Sequence, residues 1–493
     1  MTVVTAERIT TAAQALAIAA ELADEFARGA AERDHARRLP HEELDQLSAS
    51  GLLAITVPAA FGGADLPPSV VAEVFRILAA ADPNIAQVPH SHFVYLNLLR
   101  LAGTPAQQRE YFGRVLAGAR IANAQSERGG ATVAEIATTL RPGADGRFRV
   151  EGTKYYCTGS LFADVLAVLT RLDDPQGVSG LEPGEYVAFV AALEPGVRIV
   201  DDWDALGQRT TGSGTVEFER VQVGREQLVA RAAAVQAPTG YGAFAQLLHA
   251  AIDAGIARGA LDAAAEFVRT RSRPWFEADV AHAVDDPLVV QRFGELAVSV
   301  AAAEAALVVA GGAVDEAVRP ARAADGARGP ARAADVARGS AGLTDGAQGP
   351  ARPTDAARGP VGATDVARGP VGATDVARGP VGATDVARGP AGLTDAAKGP
   401  ARLTDVAPGP GHDAAQASIA VATAKILADR AANEVSAAIF EVGGTRSAVA
   451  AHRLDHYWRN ARTHTLHDPV RWKYQHIGRA VLQDRPPPLH GVI

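Results

Sequence analysis

From about Thr10 to Leu116 the apolar residues recur at helical spacing, as in Ala15, Ile18, Ala19, Leu22 and Phe26, then Val70, Val71, Val74, Ile77 and Leu78. That period predicts a helical N-terminal domain over residues 1–117. Its breaks fall at Gly51, Phe61-Gly62-Gly63, Pro67-Pro68 and Asp82-Pro83. Between about Ile121 and Val229 the pattern changes to short apolar runs punctuated by Gly, Pro and Asp. Examples are Val165 to Leu169, Tyr186 to Leu193, Val197 to Val200 and Thr215 to Val221. These predict strands, and residues 118–232 read as a β domain. Helical periodicity returns over about Ala243 to Thr270, Pro287 to Ala317 and Ala414 to Glu441. A C-terminal helical bundle is therefore expected from residues 233–318 and 411–493, and the fold class is α+β.

The bundle is interrupted by an unusual stretch. Across residues 319–410 a ten-residue unit recurs, with GPVGATDVAR in three identical copies starting at Gly359, Gly369 and Gly379. It has no aromatic residue, its apolar side chains are small, and Gly-Pro returns once per unit. Such a segment buries too little surface to offset its ordering entropy, so a disordered decapeptide-repeat insert between two helices is expected.

Composition narrows the function classes. The net charge of −8 over 493 residues leaves no basic footprint for nucleic acid. Cys157 is the only cysteine, which excludes a disulfide framework or a cysteine-based metal cluster, and no metal is expected. The longest apolar run, Val298 to Val314, is Ala-rich and interrupted by Glu304, which suits a bundle helix better than a membrane span. The acidic N-terminal helix does not resemble a signal peptide, so the expected setting is cytoplasmic.

Candidate chemistry concentrates in Trp458 to Tyr474, WRNARTHTLHDPVRWKY. Asp468-Pro469 predicts a helix start, with Asp as cap and Pro at the first position. His467 then precedes a helix N-terminus, which favours a neutral, donating imidazole. His464 lies three residues earlier, with Arg459 and Arg462 nearby. On spacing alone, both histidines fit better as ordinary partly buried residues beside a helix cap.

Four further segments carry a resemblance: VPAAFGGADLP at Val57 to Pro67, GTPAQQREYF at Gly103 to Phe112, ANAQSERGGA at Ala122 to Ala131, and EGTKYYCTGSLFAD at Glu151 to Asp164. In this order, with a sheet domain between helical domains, they resemble the acyl-CoA dehydrogenase superfamily. The resemblance implies a barrel-like β domain, a flavin between it and the bundle, and a homotetramer. It places Thr158 against the reactive edge of the flavin ring, with Asn123 and Ser126 in the segment before. It also suggests phosphate contacts from Arg209, Thr210, Thr211, Ser213 and Gly214, and from Gly443, Gly444 and Arg446, the latter group often reaching a neighbouring subunit.

One departure matters. Dehydrogenation of an acyl thioester needs a carboxylate base, yet the matching stretch holds Thr463, His464, Thr465, Leu466 and His467, leaving Glu434 or Glu441 as substitutes. The RNxRTHxLHDP pattern instead resembles the flavin-dependent monooxygenases of sulfur metabolism, the dibenzothiophene monooxygenase type and SfnB-type sulfur-acquisition oxidoreductases. In that branch a separate NAD(P)H:flavin reductase supplies reduced FMN, and a flavin C4a-hydroperoxide passes oxygen to sulfur or carbon. The resemblance implies His467 and His92 as active-site histidines, with His464, Asn123 and Thr158 beside them. A neutral donor suits a peroxide better than a carboxylate does. The expected function is thus FMN-dependent oxygenation of a small organosulfur compound with O2, the alternatives being an FAD-dependent acyl-CoA dehydrogenase or oxidase and a catalytically idle scaffold.

Overall fold

The computed structural model describes residues 8–132, 134–327 and 409–491. The N-terminal helices are α1 (Ala12–Ala27), α2 (Ala30–Ala36), α3 (His41–Ala49), α4 (Pro68–Ala81), α5 (Pro83–Gln87), α6 (His90–Ala102) and α7 (Pro105–Leu116). Their starts follow from local chemistry. Thr11 caps α1 through the Gln14 amide, Asp82 caps α5 through the Asn84 and Ile85 amides, and Thr104 with Gln107 forms a capping box at α7. The α1 residues at helical spacing, Ala15, Ala19, Ala23 and Phe26, are the buried ones.

The β domain has eight strands: β1 (Ile121–Ala124), β2 (Thr139–Pro142), β3 (Phe148–Lys154), β4 (Val165–Leu172), β5 (Glu185–Ala191), β6 (Val197–Val200), β7 (Thr215–Val223) and β8 (Leu228–Ala230). They lie in the order β6-β7-β3-β2-β4-β5-β8, and β1 pairs in parallel with β4, Asn123 opposite Ala167. Among the described residues the end strands β6 and β8 do not pair with each other, so the barrel-like domain is a curled sheet left open on one side, a half-barrel. The continuous apolar run of β4 is buried from Val165 to Thr170, as a strand covered on both faces should be.

After the short α8 (Ala232–Val235), the bundle consists of α9 (Tyr241–Arg271), α10 (Pro287–Ala327), α11 (Pro410–Gly443), α12 (Asp455–His464) and α13 (Val470–Gln483). The central member is α9, packed against α4, α10 and α11. Its approach to α4 is closest at Gly255 and Gly259, where a Cβ would come within 2.5 Å of the Arg76 carbonyl oxygen and 2.2 Å of the Ala80 carbonyl oxygen. Along α10, Leu296, Val300, Ala303, Leu307, Ala310 and Val314 form a buried seam at heptad spacing. By length and composition Pro287–Asp325 could cross a membrane. Here the seam packs it into the bundle, and Leu288, Val290, Val298, Val308 and Val309 face outward.

One boundary differs from expectation. The sequence pattern starts the insert at Arg319, but α10 continues through Pro320 to Ala327. Ion pairs explain the extension: Arg100 holds Asp325 at 2.7 Å, and Arg322 lies 3.5 Å from Asp65. The rest of the expected disordered insert, residues 328–408, lies outside the described residues.

Candidate active site

Two sets of polar side chains meet around the end of α12. The first is a histidine cluster inside the helical part. His90 comes from the first turn of α6, His249 and Asp253 from successive turns of α9, and Lys425, Asp429 and Asn433 from successive turns of α11. His464 ends α12, while His467 and Asp468 follow in the loop. The His249 ring stacks on His90 at 3.8 Å between centroids and lies 4.0 Å from His467. Its Nδ1 is 3.2 Å from Nε2 of His464, which also lies 3.0 Å from the Gln87 side-chain amide. On its other side His464 donates through Nδ1 to Asp253, 2.6 Å away. Lys425 donates to Asp253 at 2.7 Å and also to Asp429.

Burial sets the charge states. It pushes the pKa of His90 down to about 3, and those of His249 and His464 well below the ordinary value. These rings are neutral donors and acceptors at neutral pH. Burial, reinforced by the neighbouring Asp253 carboxylate, pushes Asp429 up to about 8. For Asp468 burial acts in the same direction, yet His467, Lys473 and Lys425 hold its carboxyl below the usual range. The expected Asp468 cap is not made: Pro469 is extended at the start of α13, no side chain caps the helix, and the Asp468 carboxylate lies 3.4 Å from His467 Nδ1. His467 itself is exposed, placing it where the cluster opens to solvent.

The second set lines the β domain. Thr158 hydrogen-bonds Ser213 at 2.8 Å, Ser213 bonds Thr211 at 2.7 Å, and Thr211 donates to the Gln208 carbonyl at 2.9 Å. The loop holding this hydroxyl chain is anchored to the helices. Thr210 N–H donates to Asn84 on α5, and Gln208 N–H to Asn460 on α12. Several polar atoms here are buried without a partner: Asn123 Oδ1, Thr210 Oγ1, and both side-chain amide atoms of Gln208. Such atoms are costly unless a ligand satisfies them. A flavin ring, carrying donors and acceptors along one edge, fits that unmet set.

The expected site residues divide between these sets and other places. His464 and His467 join the helical cluster, and Asn123, Thr158, Thr210 and Ser213 the sheet side. Ser126 is adjacent in sequence, its carbonyl accepting from Tyr155 N–H at 2.9 Å. His92 stands apart and is saturated by backbone. Its Nε2 donates to the Leu53 carbonyl at 2.9 Å and its Nδ1 accepts from Ile121 N–H at 3.1 Å. Arg209 donates to the carbonyls of Asp34 and His35, and Arg446, beside the helix-ending Gly443 and Gly444, donates to that of Arg271. Both guanidiniums thus have intramolecular partners. A cleft of about 510 Å³ offers other cations: Arg128 and Arg171 line it beside Gly129 and Gly130. Arg128 also lies 4.4 Å from the centre of the Tyr155 ring.

Sequence reasoning missed His90, His249 and Asp253. His90 is two residues from the histidine that was singled out, and the i, i+4 spacing of His249 and Asp253 is the pattern that places both on one face of α9. The substitute bases are elsewhere: Glu434 and Glu441 pair with Arg292 at 3.2 and 3.3 Å on the outer surface of the bundle.

Models of the acyl-CoA dehydrogenase N-terminal, middle and C-terminal domains match residues 12–119, 122–221 and 247–349, and the chain belongs to the acyl-CoA dehydrogenase family. The third match runs past Arg319 into the stretch expected to be an insert. Within the family the chain is similar to sulfur-compound monooxygenases. The dibenzothiophene monooxygenase of Mycolicibacterium goodii is 30% identical over 485 residues, covering 95% of this chain and 94% of that protein. The probable FMNH2-dependent monooxygenase SfnC of Pseudomonas putida is 28% identical and covers 96% of each. The crystal structure of FMN-bound TdsC from Paenibacillus sp. A11-2 superposes with a TM-score of 0.75 at 27% identity, covering 97% of this chain and 100% of that one.

Proposed function

We propose that this protein is the oxygenase component of a two-component monooxygenase, taking reduced FMN from a separate NAD(P)H:flavin reductase and using O2 to oxygenate a small organosulfur compound. The observation that carries this reading is the character of the cluster. Neutral imidazoles surround the opening at His467, while Asp253 and Asp429 are committed to Lys425. The other carboxylate of the cluster, Asp468, lies 3.4 Å from His467 Nδ1 and is paired with that ring, so FAD-dependent dehydrogenation of an acyl thioester is the weaker reading. Bound reduced flavin would supply the activation of O2 through its C4a-hydroperoxide.

The protein's own residues supply the rest. Asn123 and Thr158 bind the ring edge, with Ser126, Thr210 and Ser213 behind them, and His467 donates a hydrogen bond where oxygen is activated. Around Thr210 and Ser213 the buried surroundings exclude water and strengthen each such bond, while His467 stands at the opening to solvent. The outward apolar face of α10, with Val298, Val308 and Val309 more than two-thirds exposed, supports self-association, in keeping with a homotetramer. The assembly is proposed to work in the cytoplasm.

The test mixes the protein and anaerobically reduced FMN with oxygenated buffer in a stopped-flow spectrometer. A transient peroxyflavin-type absorbance that outlasts the oxidation of free flavin is expected. Oxidation at the free-solution rate, together with reduction of bound flavin by an acyl-CoA, would overturn the assignment in favour of a dehydrogenase.

A further inference from the structure

The helical cluster contains more charge than a neutral histidine site needs. Asp253, Lys425 and Asp429 are 0%, 1% and 4% exposed. A buried ion group of this kind seldom adds net stability, because desolvation offsets the attraction, so its retention calls for another explanation. The geometry supplies one. The two oxygens of the Asp253 carboxylate do different work: Oδ2 accepts from Lys425 Nζ at 2.7 Å, and Oδ1 lies 2.6 Å from His464 Nδ1.

A carboxylate only accepts. The proton of His464 must therefore sit on Nδ1, and in a neutral ring Nε2 keeps its lone pair. That lone pair faces His249 Nδ1 at 3.2 Å, so the proton of His249 sits on its own Nδ1. The Gln87 side-chain oxygen is placed 3.0 Å from the same His464 nitrogen; two acceptors cannot bond each other, so with Nε2 unprotonated the amide must turn its NH2 to it. Nε2 of His249 is then an acceptor within the stack formed with His90 and His467. His90 cannot exchange roles with it, since its Nε2 already donates to the Ala245 carbonyl at 2.9 Å.

We infer that Asp253, held by Lys425, is a positioning residue that fixes His464 and His249 in one tautomer each and so presents His249 Nε2 as an acceptor in the site. Lys425 stops the carboxylate rotating, and Asp429 takes a second of the three ammonium donors. Asn433 ties this end of α11 to the His464 loop, donating to the Asp429 carbonyl at 2.8 Å and to Thr465 Oγ1 at 3.1 Å. That the acceptor serves oxygen transfer rests on the monooxygenase reading above. The tautomers do not.

The experiment separates the two. Long-range 1H–15N correlation spectra of the full chain, with 15N-labelled histidine and no flavin, report which nitrogen of each ring is protonated. His464→Gln and His249→Gln assign the peaks. Both residues are expected protonated on Nδ1 at pH 7. In Asp253→Asn the amide oxygen turns to Lys425 and its NH2 to His464, so the proton of His464 should move to Nε2. With it, kcat for oxygenation should fall roughly 100-fold or more while the FMN dissociation constant stays within about two-fold, by analogy with the tautomer error caused by replacing a histidine-orienting aspartate elsewhere. The pH profile should also shift, and the charged or titratable groups facing the pair that could contribute are His90, His467, Asp468, Lys425, Asp429 and Lys473.

Wild-type His464 protonated on Nε2 would overturn the proposal, even if the asparagine variant does not fold. So would wild-type turnover in a folded Asp253→Asn. Expected tautomers in a protein that never slows the oxidation of reduced FMN would sink the monooxygenase reading and leave this one standing.

Discussion

The two halves of the site are built on opposite terms. On the helical side His464, Asp253 and Lys425 are hydrogen-bonded to one another before any ligand arrives. On the sheet side Asn123, Thr210 and Gln208 hold buried polar atoms with no partner. The first arrangement suits groups that must keep one protonation state. The second suits groups that must recognise something, because their hydrogen-bonding capacity is still unspent.

Acid should break the helical half first. His90 and His92 have folded pKa values near 3 and 4 against 6.5 unfolded, so the unfolded chain binds protons that the folded one refuses. Stability from these groups is complete above pH 6.5 and is lost as pH falls toward about 4 and then 3. Residues 118–232 contain no histidine and add no such term. The unfolding free energy from urea titrations between pH 7 and pH 4 should therefore drop steeply, by roughly several kcal/mol. A flat profile would mean that these rings take up protons in the fold.

Removing the central cation comes next. Lys425→Met removes the cation that joins the buried Asp253 and Asp429 and is expected to cost about 3–5 kcal/mol, read from chemical denaturation. His467→Ala should leave the fold and FMN affinity intact but lower product yield per reduced flavin by a factor on the order of 100. Unchanged yield would move the chemistry away from this loop. On the sheet side the expected effect is smaller. Thr158→Val keeps the shape but removes one of the two hydrogen bonds of the Ser213 hydroxyl, and FMN binding should weaken by about 1 kcal/mol in a fluorescence titration. Glu434→Gln, on the outer surface, should change stability by less than about 0.5 kcal/mol and leave turnover alone.

Much of this architecture was legible in the sequence because it rests on periodicity. The long bundle helices appear where the 3.6-residue pattern runs, and the strands where it stops. Motif spacing likewise brought out the His464–His467 stretch. What local pattern could not supply was the set of long-range partners. His249 meets His464 across 215 residues of chain, and Asp253 meets Lys425 across 172. Nothing local distinguishes His90, whose ring joins the cluster, from His92, whose ring is occupied by backbone. The difference is which side of α6 faces α9. Arg209 shows the converse: its sequence context suggests an anion, but the end of α2 offers carbonyls at shorter range.

The close approach of α4 and α9 at Gly255 and Gly259 bears on how this chain can change over generations. Alanine is the better helix former, so replacing either glycine would strengthen α9 as an isolated peptide. In the protein the added methyl would meet the α4 backbone and lever α9 outward, moving His249 and Asp253 from a distance of a few turns. The register of the histidines is thus guarded by two places where an atom is missing. Substitutions there should be rejected by selection for reasons that no inspection of the reacting groups would reveal.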